Sequence, residues 1–322
     1  MNNNIDDIFS NKLEDDIKKR IKNYRKTLNK KLLMKSTLIT LITLSVICLI
    51  LSSISNSYIA FFSAKEYQKE QLIYRIKNPN EYIGSDNYIG TGYFKYRNTY
   101  NICKKISGKV IFAGAITSDG GIFNNPICGE KSGGKTIPIN TNILQRSSTS
   151  SGLREMYFAY PDVNYDIEIN DFYVLDEISN EKVLEMAISF DKEYTYEEVN
   201  NMIDKNLITF YWVDNRSIEN KENNKNSQFK EMNHEDRVIG IKSNNLYGEF
   251  MYDTNDRKID FIDAVKKLNS TNADEKSLVK NIDENNIKII GVVVIGTPDE
   301  LMPIQNTNFV KHAVLGSVVD KY

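Results

Sequence analysis

Residues 129–136 read GEKSGGKT and fit the pattern G-x-x-x-x-G-K-T, which binds nucleotide phosphates when it lies between a strand and a helix. The preceding residues, IFNNPIC, do not favour a strand, because Asn124, Asn125 and Pro126 interrupt them. The following residues, IPINTN, contain Pro138 and β-branched side chains that oppose a helix. We therefore interpret the motif as a coincidence in a turn-rich loop.

Other side chains that could do chemistry are few. His234 and His312 are far apart in the sequence and have no second His or Cys at metal-ligand spacing, so we expect ordinary surface or partly buried imidazoles. Cys103 and Cys128 could form a disulfide, and a loop of about 25 residues would then contribute about 3 kcal/mol in the chain-entropy model. Free thiols are the alternative.

Acidic pairs such as Glu197-Glu198 and Glu235-Asp236 are interpreted as solvated helix and loop charges. The sequence offers no arrangement of a nucleophile and a base. It therefore predicts no enzyme, no metal and no cofactor.

An uncharged stretch lies between Lys35 and Lys65 and consists mostly of Leu, Ile, Thr and Ser. Its most apolar part, residues 37–54, reaches the length of about 20 residues that a membrane-spanning helix needs when it is extended toward Phe62. A buried core helix would show a polar face, and a cleaved signal peptide starts closer to the amino terminus. We expect an uncleaved transmembrane helix over residues 36–62.

The charges that flank this stretch predict its orientation. Residues 18–35 contain nine Lys or Arg and no acid, whereas the other flank is mixed. Because basic residues concentrate on the cytoplasmic side of a span, the amino terminus is predicted to be cytoplasmic and the remainder extracytoplasmic. A basic run beside a membrane is explained by anionic lipid headgroups, so no nucleic-acid partner is expected.

Apolar residues recur every four positions in the predicted tail, at Ile5, Phe9, Leu13, Ile17 and Ile21. This spacing predicts one apolar stripe along a helix, named here the tail stripe. A segment of 35 residues cannot build its own core, so the stripe needs a surface to cover it. The membrane surface, another copy and a partner protein remain open as that surface.

The amino-acid composition of the predicted outer region changes along the chain. Residues 82–117 are rich in Gly, Tyr and β-branched residues and predict strands and turns, and residues 118–152 are turn-rich. Thr195 with Glu198 predicts a capping box at the start of a helix. Beyond it the sequence predicts a strand at 207–214, an exposed loop at 215–237, helices at 259–268 and 299–304, and strands at 288–297 and 313–322.

These elements predict an α+β extracytoplasmic region, with a mostly antiparallel sheet and helices on one face, anchored by a single amino-terminal transmembrane helix. We expect four parts. They are a cytoplasmic tail at 1–35, the transmembrane helix at 36–62, a β-rich outer region at 63–169 and a carboxyl-terminal α+β domain at 170–322.

Four segments of the carboxyl-terminal half carry a resemblance: AISFDKEYTYEEVNNMI at 187–203, YWVD at 211–214, GVVVIGTPDEL at 291–301 and FVKHAVLGSVVDKY at 309–322. Together they resemble the carboxyl-terminal domain of the membrane-bound sigma factor regulator (anti-sigma factor) family. The resemblance implies a Gram-positive regulator that restrains an extracytoplasmic-function sigma factor in response to an envelope signal. None of the four segments is catalytic.

The resemblance also gives the tail stripe a candidate partner, namely the sigma factor. The tail has no His and no Cys, which excludes a zinc-binding H-x-x-x-C-x-x-C motif, and it is short, so a second small membrane protein could be required. The alternative from another class is a non-catalytic envelope binding or assembly module with a membrane-anchoring tail. An extracytoplasmic enzyme is a third possibility.

Overall fold

The computed structural model describes residues 3–129, 131, 137–138, 147–148, 153–165, 169–226, 232–243, 256–270 and 273–321. The chain divides into two compact units, Met1–Ala60 and Phe61–Tyr322. Most of the GEKSGGKT motif and of the turn-rich region around it lies outside the described residues.

Helix α1, Asn3–Ile76, begins in the first unit and ends in the second. Among the described residues it is the one helix long and apolar enough to cross a membrane. Apolar side chains in its uncharged stretch, such as Leu38 and Leu49, are exposed on the protein. Because no protein core covers them, this surface fits the lipid-facing side of a single-pass helix.

In the second unit, α1 ends at a tight turn made by Asn78, Pro79 and Asn80. Both asparagines adopt positive φ angles, 53° and 61°, a region that Asn tolerates better than most residues. Proline cannot continue a helix because it lacks an amide hydrogen. The turn therefore delivers the chain directly from α1 into the first strand.

A four-stranded antiparallel sheet follows, in the order β1-β2-β3-β4. Its strands are β1, Glu81–Gly92; β2, Lys95–Ile106; β3, Lys109–Gly121; and β4, Asn124–Cys128. The expectation that residues 124–126 would not form a strand was wrong. β4 lies at the edge of the sheet, where a proline disturbs the pairing least.

Two short strand pairs connect this sheet to the rest of the unit. β5, Ile137–Pro138, pairs with β6, Ser147–Ser148, and β7, Tyr157–Phe158, pairs with β10, Asn233–His234, further along the chain. A short 3-10 helix, Asp171–Glu177, then leads into the carboxyl-terminal sheet.

The carboxyl-terminal sheet has five antiparallel strands in the order β11-β9-β12-β8-β13. The strands are β8, Lys182–Tyr194; β9, Ile208–Val213; β11, Gly240–Lys242; β12, Ile289–Gly296; and β13, Val310–Asp320. The helices are α2, Tyr196–Met202; α3, Ile218–Asn226; α4, Arg257–Asn269; α5, Ala273–Val279; and α6, Pro298–Gln305.

Both faces of this sheet are buried. One face packs against α2, α4, α5, α6 and the 3-10 helix, with Phe190 and Phe261 in the core between them. The other face holds Trp212, which is covered by Phe158 of β7 and by Tyr160. The predicted α+β class, with helices on one face of an antiparallel sheet, is confirmed.

The local predictions for this domain can be compared with the structure element by element. Thr195 caps α2, and its capping box with Glu198 is formed as predicted. The predicted exposed loop at 215–237 was wrong in part, because it contains the helix α3. Lys221 of α3 forms ion pairs with Glu193 and Asp214, which hold this polar helix against the sheet without burying any of its residues.

Candidate functional site

A buried lysine joins the two sheets. Lys104 lies on β2, and its Nζ is 2.9 Å from Glu185 Oε2 on β8 and 3.0 Å from Glu235 Oε2, directly after β10. The side chains of Lys104 and Glu185 are fully buried. One cation therefore neutralises two carboxylates, and we name these three residues the buried charge cluster.

The backbone around Glu185 is shaped to receive its carboxylate. A register shift in β13 between Leu315 and Val318 turns the Ser317 N–H toward Glu185 Oε2, at 3.4 Å. A Cβ atom at Gly316 would come within 2.8 Å of the same oxygen, so glycine is required there. Asn80 Nδ2 donates to the other oxygen, Oε1, at 2.6 Å.

The electrostatics of the cluster favour a charged lysine and oppose a second carboxylate. Burial lowers the pKa of Lys104, but the fields of Glu185, Glu235 and Glu81 outweigh burial and raise that pKa above its usual value. For Glu235, burial raises the pKa most, the nearby carboxylates raise it further, and Lys104 opposes them. Glu235 therefore holds a proton more readily than an ordinary glutamate.

A second buried lysine connects the carboxyl-terminal sheet to the end of α1. Lys242, at the end of β11, donates from Nζ to the backbone oxygen of Tyr74 at 2.5 Å and to that of Glu81 at 2.6 Å. Burial lowers the pKa of Lys242 to about 7, although the carboxylate of Glu81 opposes the change. The last turn of α1 and the first residue of β1 thus share one donor from the carboxyl-terminal domain.

His234 forms an ionic link beside the cluster. Its Nδ1 is 2.8 Å from Asp236 Oδ1, and its Nε2 is 3.3 Å from Glu155 Oε2. Burial lowers the pKa of His234, but hydrogen bonds and charge interactions with Asp236 and Glu155 outweigh it and raise the pKa to about 10. The imidazole is therefore a cation at neutral pH.

These groups surround a cavity of about 400 Å³ at the end of α1. The cavity has an apolar side, formed by Ile73, Tyr74 and Ile116, and a polar side that carries more carboxylates than cations. The remaining lining residues are Glu70, Lys77, Asn78, Glu81, Lys131, Glu155, His234, Glu235 and Asp236. Such a cavity could bind a small polar ligand, and its walls belong to α1, to the first sheet and to the loop that holds β10.

Sequence reasoning missed this site. Glu235 and Asp236 were interpreted as solvated charges; this was wrong for Glu235, which is buried, whereas Asp236 is exposed and also binds His234. His312 is fully buried against Tyr165, so the expectation of a surface or partly buried imidazole was wrong for it. Among the described residues no group of His, Cys, Asp and Glu has the arrangement of a metal site.

Strand register bears on the possible disulfide between Cys103 and Cys128, for which free thiols were the alternative. Cys103 carries a free thiol on β2, and strand register places Cys128 opposite Ser118, which in turn pairs with Asn98. Asn98 lies five residues from Cys103 along β2, about 16 Å at the usual rise of a strand. The Cα atoms of a disulfide lie at most about 7 Å apart, so these positions are too distant.

The tail stripe is partly described. The backbone of Ile5 and Phe9 lies in α1, but their side chains are outside the described part. The side chains of Leu13, Ile17 and Ile21 are 66%, 48% and 48% exposed. The role of the stripe in docking stays a prediction.

The four segments that carry the family resemblance build the scaffold of the domain. They form β8 and the capped start of α2, the end of β9, β12 with α6, and β13. A second capping box, between Thr297 and Glu300, starts α6. Asp214, the last residue of YWVD, binds Arg216 and Lys221.

Comparison with protein families gives one match, in which residues 175–317 fit the sigma factor regulator C-terminal model. This carboxyl-terminal domain is similar to the carboxyl-terminal domain of sigma factor regulators. The match runs from within the 3-10 helix into β13, and therefore includes four strands of the five-stranded sheet in full and most of the fifth. Comparisons with curated proteins and with solved structures give no significant match.

The similarity is to a family of sigma factor regulators, over somewhat less than half of the chain. The apolar helix α1 fits a single-pass membrane protein. The family match does not extend to residues 1–174, which contain α1, the first sheet and most of the lining of the cavity.

Proposed function

We propose that this chain is a single-pass membrane anti-sigma-type regulator. Its amino-terminal tail lies in the cytoplasm and restrains an extracytoplasmic-function sigma factor, and its outer domain responds to an envelope signal. The observation that carries this proposal is the match of residues 175–317 to the sigma factor regulator C-terminal family, in a chain with one candidate membrane span. The basic flank at residues 18–35 supports the orientation.

The tail stripe is the proposed docking face for the sigma factor. Three of its side chains are exposed on the protein, and an exposed apolar stripe on a short tail needs a partner surface. A second small membrane protein could share the task, since the tail is short.

The cavity beside the buried charge cluster is the proposed site of signal recognition. Its lining includes Glu70, Ile73 and Tyr74 from the last turns of α1, so a ligand there would contact the helix directly. A ligand shifts an equilibrium only if it binds two states with different affinity. Two such states could differ in the contacts of Lys242, which binds the end of α1, and in the contacts within the buried charge cluster.

The test is co-purification of the full membrane-bound chain with each alternative sigma factor of its host. The informative variant carries Leu13→Glu and Ile17→Glu, which place two charges on the tail stripe. The matched control carries Asn11→Glu, which adds a charge about 200° around the same helix from Leu13. We expect one sigma factor to be retained by the native chain and by the control, and lost from the stripe variant.

Release of the sigma factor should also appear as increased transcription from its promoters, with the variant still in the membrane. Retention by all three proteins would contradict the proposed docking face. If no sigma factor is retained by the well-expressed native chain, the alternative of an anchored envelope binding module is favoured.

A further inference from the structure

One end of the four-stranded sheet is apolar and exposed. The turn at residues 93–94, between β1 and β2, lies beside the turn at residues 122–123, between β3 and β4, because the Ile122 N–H donates to the Phe94 oxygen at 3.1 Å. Phe123 is 91% exposed. We name this end the apolar rim; its exposed apolar residues are Tyr93, Ile122 and Phe123.

Contacts within the second unit fix the direction in which the apolar rim points. Tyr67 of α1 stacks on Tyr100 of β2, with ring centroids 6.1 Å apart. Nearer the start of the unit, Ser63 Oγ donates to Asn98 Oδ1 at 2.6 Å. The step from Tyr67 to Ser63, toward the amino terminus of α1, therefore has the same direction as the step from Tyr100 to Asn98 along β2. That direction leads to the apolar rim.

The rim extends further than the helical part of this unit. Phe94 is four residues beyond Asn98, which corresponds to about 13 Å along a strand. Phe61, the first residue of the unit, is only two residues before Ser63, or about 3 Å along a helix. The apolar rim therefore lies farther in this direction than Phe61.

That end of the unit adjoins the predicted bilayer. The sequence has no charged residue from Ser36 to Ala64, so Ser63 itself belongs to the uncharged stretch of α1. A structure that projects beyond Ser63 toward this stretch meets the membrane surface if α1 crosses the membrane.

We propose that the apolar rim inserts into the outer interface of the same membrane that α1 crosses, as a second membrane contact of the outer domain. Aromatic and aliphatic side chains are favoured in this layer, where tyrosine can keep its hydroxyl hydrated. Directly behind the rim, Lys95 is exposed, so a basic group lies at the depth expected for lipid phosphates, and the charge of Arg97 there is balanced by Asp119 at 2.7 Å. The position at the membrane end of the sheet favours lipid over a second copy of the chain.

This inference requires α1 to span the membrane, but it is independent of the sigma factor. With two attachments, at α1 and at the apolar rim, the sheet has a defined orientation on the bilayer. The network of Ser63, Asn98 and Glu66, in which Asn98 Nδ2 donates to Glu66 Oε2 at 3.0 Å, braces the sheet against the helix between them.

The experiment uses the full chain in nanodiscs of phosphatidylcholine and phosphatidylglycerol, with or without lipid that is brominated in the upper acyl chain. The informative variant is Phe123→Trp. The matched control is Phe112→Trp, since Phe112 is also exposed but lies toward the opposite end of the same sheet, opposite Cys103. Trp212, the one native tryptophan, is fully buried and gives a constant background.

We expect the added emission of the Phe123→Trp variant to shift to shorter wavelength and to be mostly lost in brominated nanodiscs. The Phe112→Trp variant should keep its emission in both. Absence of quenching in the Phe123→Trp variant, or equal quenching in both variants, would overturn the proposal. A blue-shifted but unquenched Phe123→Trp emission would instead assign the rim to a protein partner, which also overturns it.

Discussion

The two sheets of the second unit bury different kinds of side chains. The five-stranded sheet has apolar side chains on both faces, covered by helices on one side and by β7 and its neighbours on the other. The four-stranded sheet packs on α1 with a small apolar cluster and several buried polar groups, among them Lys104, Asn98 and Glu66. Where they meet, one sheet supplies Glu185 and the other supplies Lys104.

This difference separates the roles that the two sheets can play. Apolar side chains carry no titratable group, so their packing does not depend on protonation, and it favours a single arrangement. A buried ionic junction depends on protonation and on every partner being in place. The five-stranded sheet is therefore suited to be a scaffold, and the junction is the place where a signal could change the structure.

The largest loss of stability is expected when a side chain in the core of the five-stranded sheet is truncated. Phe190 is fully buried and packs edge-on against Tyr194 and Phe309. Phe190→Ala should lower the free energy of unfolding by about 3–5 kcal/mol. Denaturant unfolding of the full chain in detergent measures this value, and Phe123→Ala, at an exposed site, is the control that should change it by less than about 0.5 kcal/mol. The Phe190→Ala loss should be the same at pH 5 and at pH 8.

Removal of Lys104, the lysine of the buried charge cluster, should lower the free energy of unfolding about as much as Phe190→Ala does at pH 8, but by less at pH 5. Lys104→Met leaves Glu185 and Glu235 buried without their cation, which should cost about 3–5 kcal/mol at pH 8. As the pH falls, Glu235 takes up a proton and part of this cost disappears. The same measurement at both pH values checks the prediction, with Lys95→Met on the same strand as the exposed control.

If Lys104→Met lowered the free energy of unfolding equally at both pH values, the contrast between the two sheets would be wrong, because the ionic junction would then behave like the apolar core.

Substitution of His234 should lower the free energy of unfolding by less than substitution of Lys104, and over a different pH range. Its pKa is raised to about 10 by Asp236 and Glu155 against the opposing effect of burial. A raised pKa contributes stability that is fully present below the unfolded value of about 6.5 and is lost as the pH rises through 10. His234→Gln should therefore cost about 2 kcal/mol at pH 6 and progressively less up to pH 10.

The matched control for His234 is Asn233→Gln, at the neighbouring position of β10. An equal cost at pH 6 and pH 10 would show that His234 acts by packing on Tyr157 rather than by its charge.

The smallest effect is expected at a helix cap of the scaffold. Thr195→Ala removes the side-chain oxygen that accepts from the Glu198 N–H, and should lower the free energy of unfolding by about 1 kcal/mol. Glu197→Gln, which leaves the cap intact, is the control. A change as large as that for Lys104→Met would mean that α2 takes part in the junction.

The scaffold was predictable because its signals are local. Thr195 with Glu198 satisfies amide groups within one turn, and the apolar run of β12 is buried wherever that strand pairs. The helix α3 was missed because its sequence lacks an apolar face and depends on ion pairs of Lys221 with residues distant in the sequence.

The candidate site could not be predicted from the sequence. Lys104 and Glu185 are far apart in the chain, and each resembles an ordinary surface charge when considered alone. Only the packing of β2 against the carboxyl-terminal sheet brings them to 2.9 Å. The one local signal was Gly316 beside Ser317 in β13, which indicates a bulge but does not identify the carboxylate that the bulge receives.

The hydrogen bonds of Lys242 have a genetic consequence. Both acceptors are main-chain oxygens, of Tyr74 and Glu81, which every amino acid possesses. A change of side chain at position 74 or 81 therefore leaves these acceptors in place, although Tyr74 is buried and Glu81 binds Lys131, whereas a change at position 242 removes the donor of both bonds. Among these three positions, the connection itself is thus encoded by the side chain of residue 242 alone.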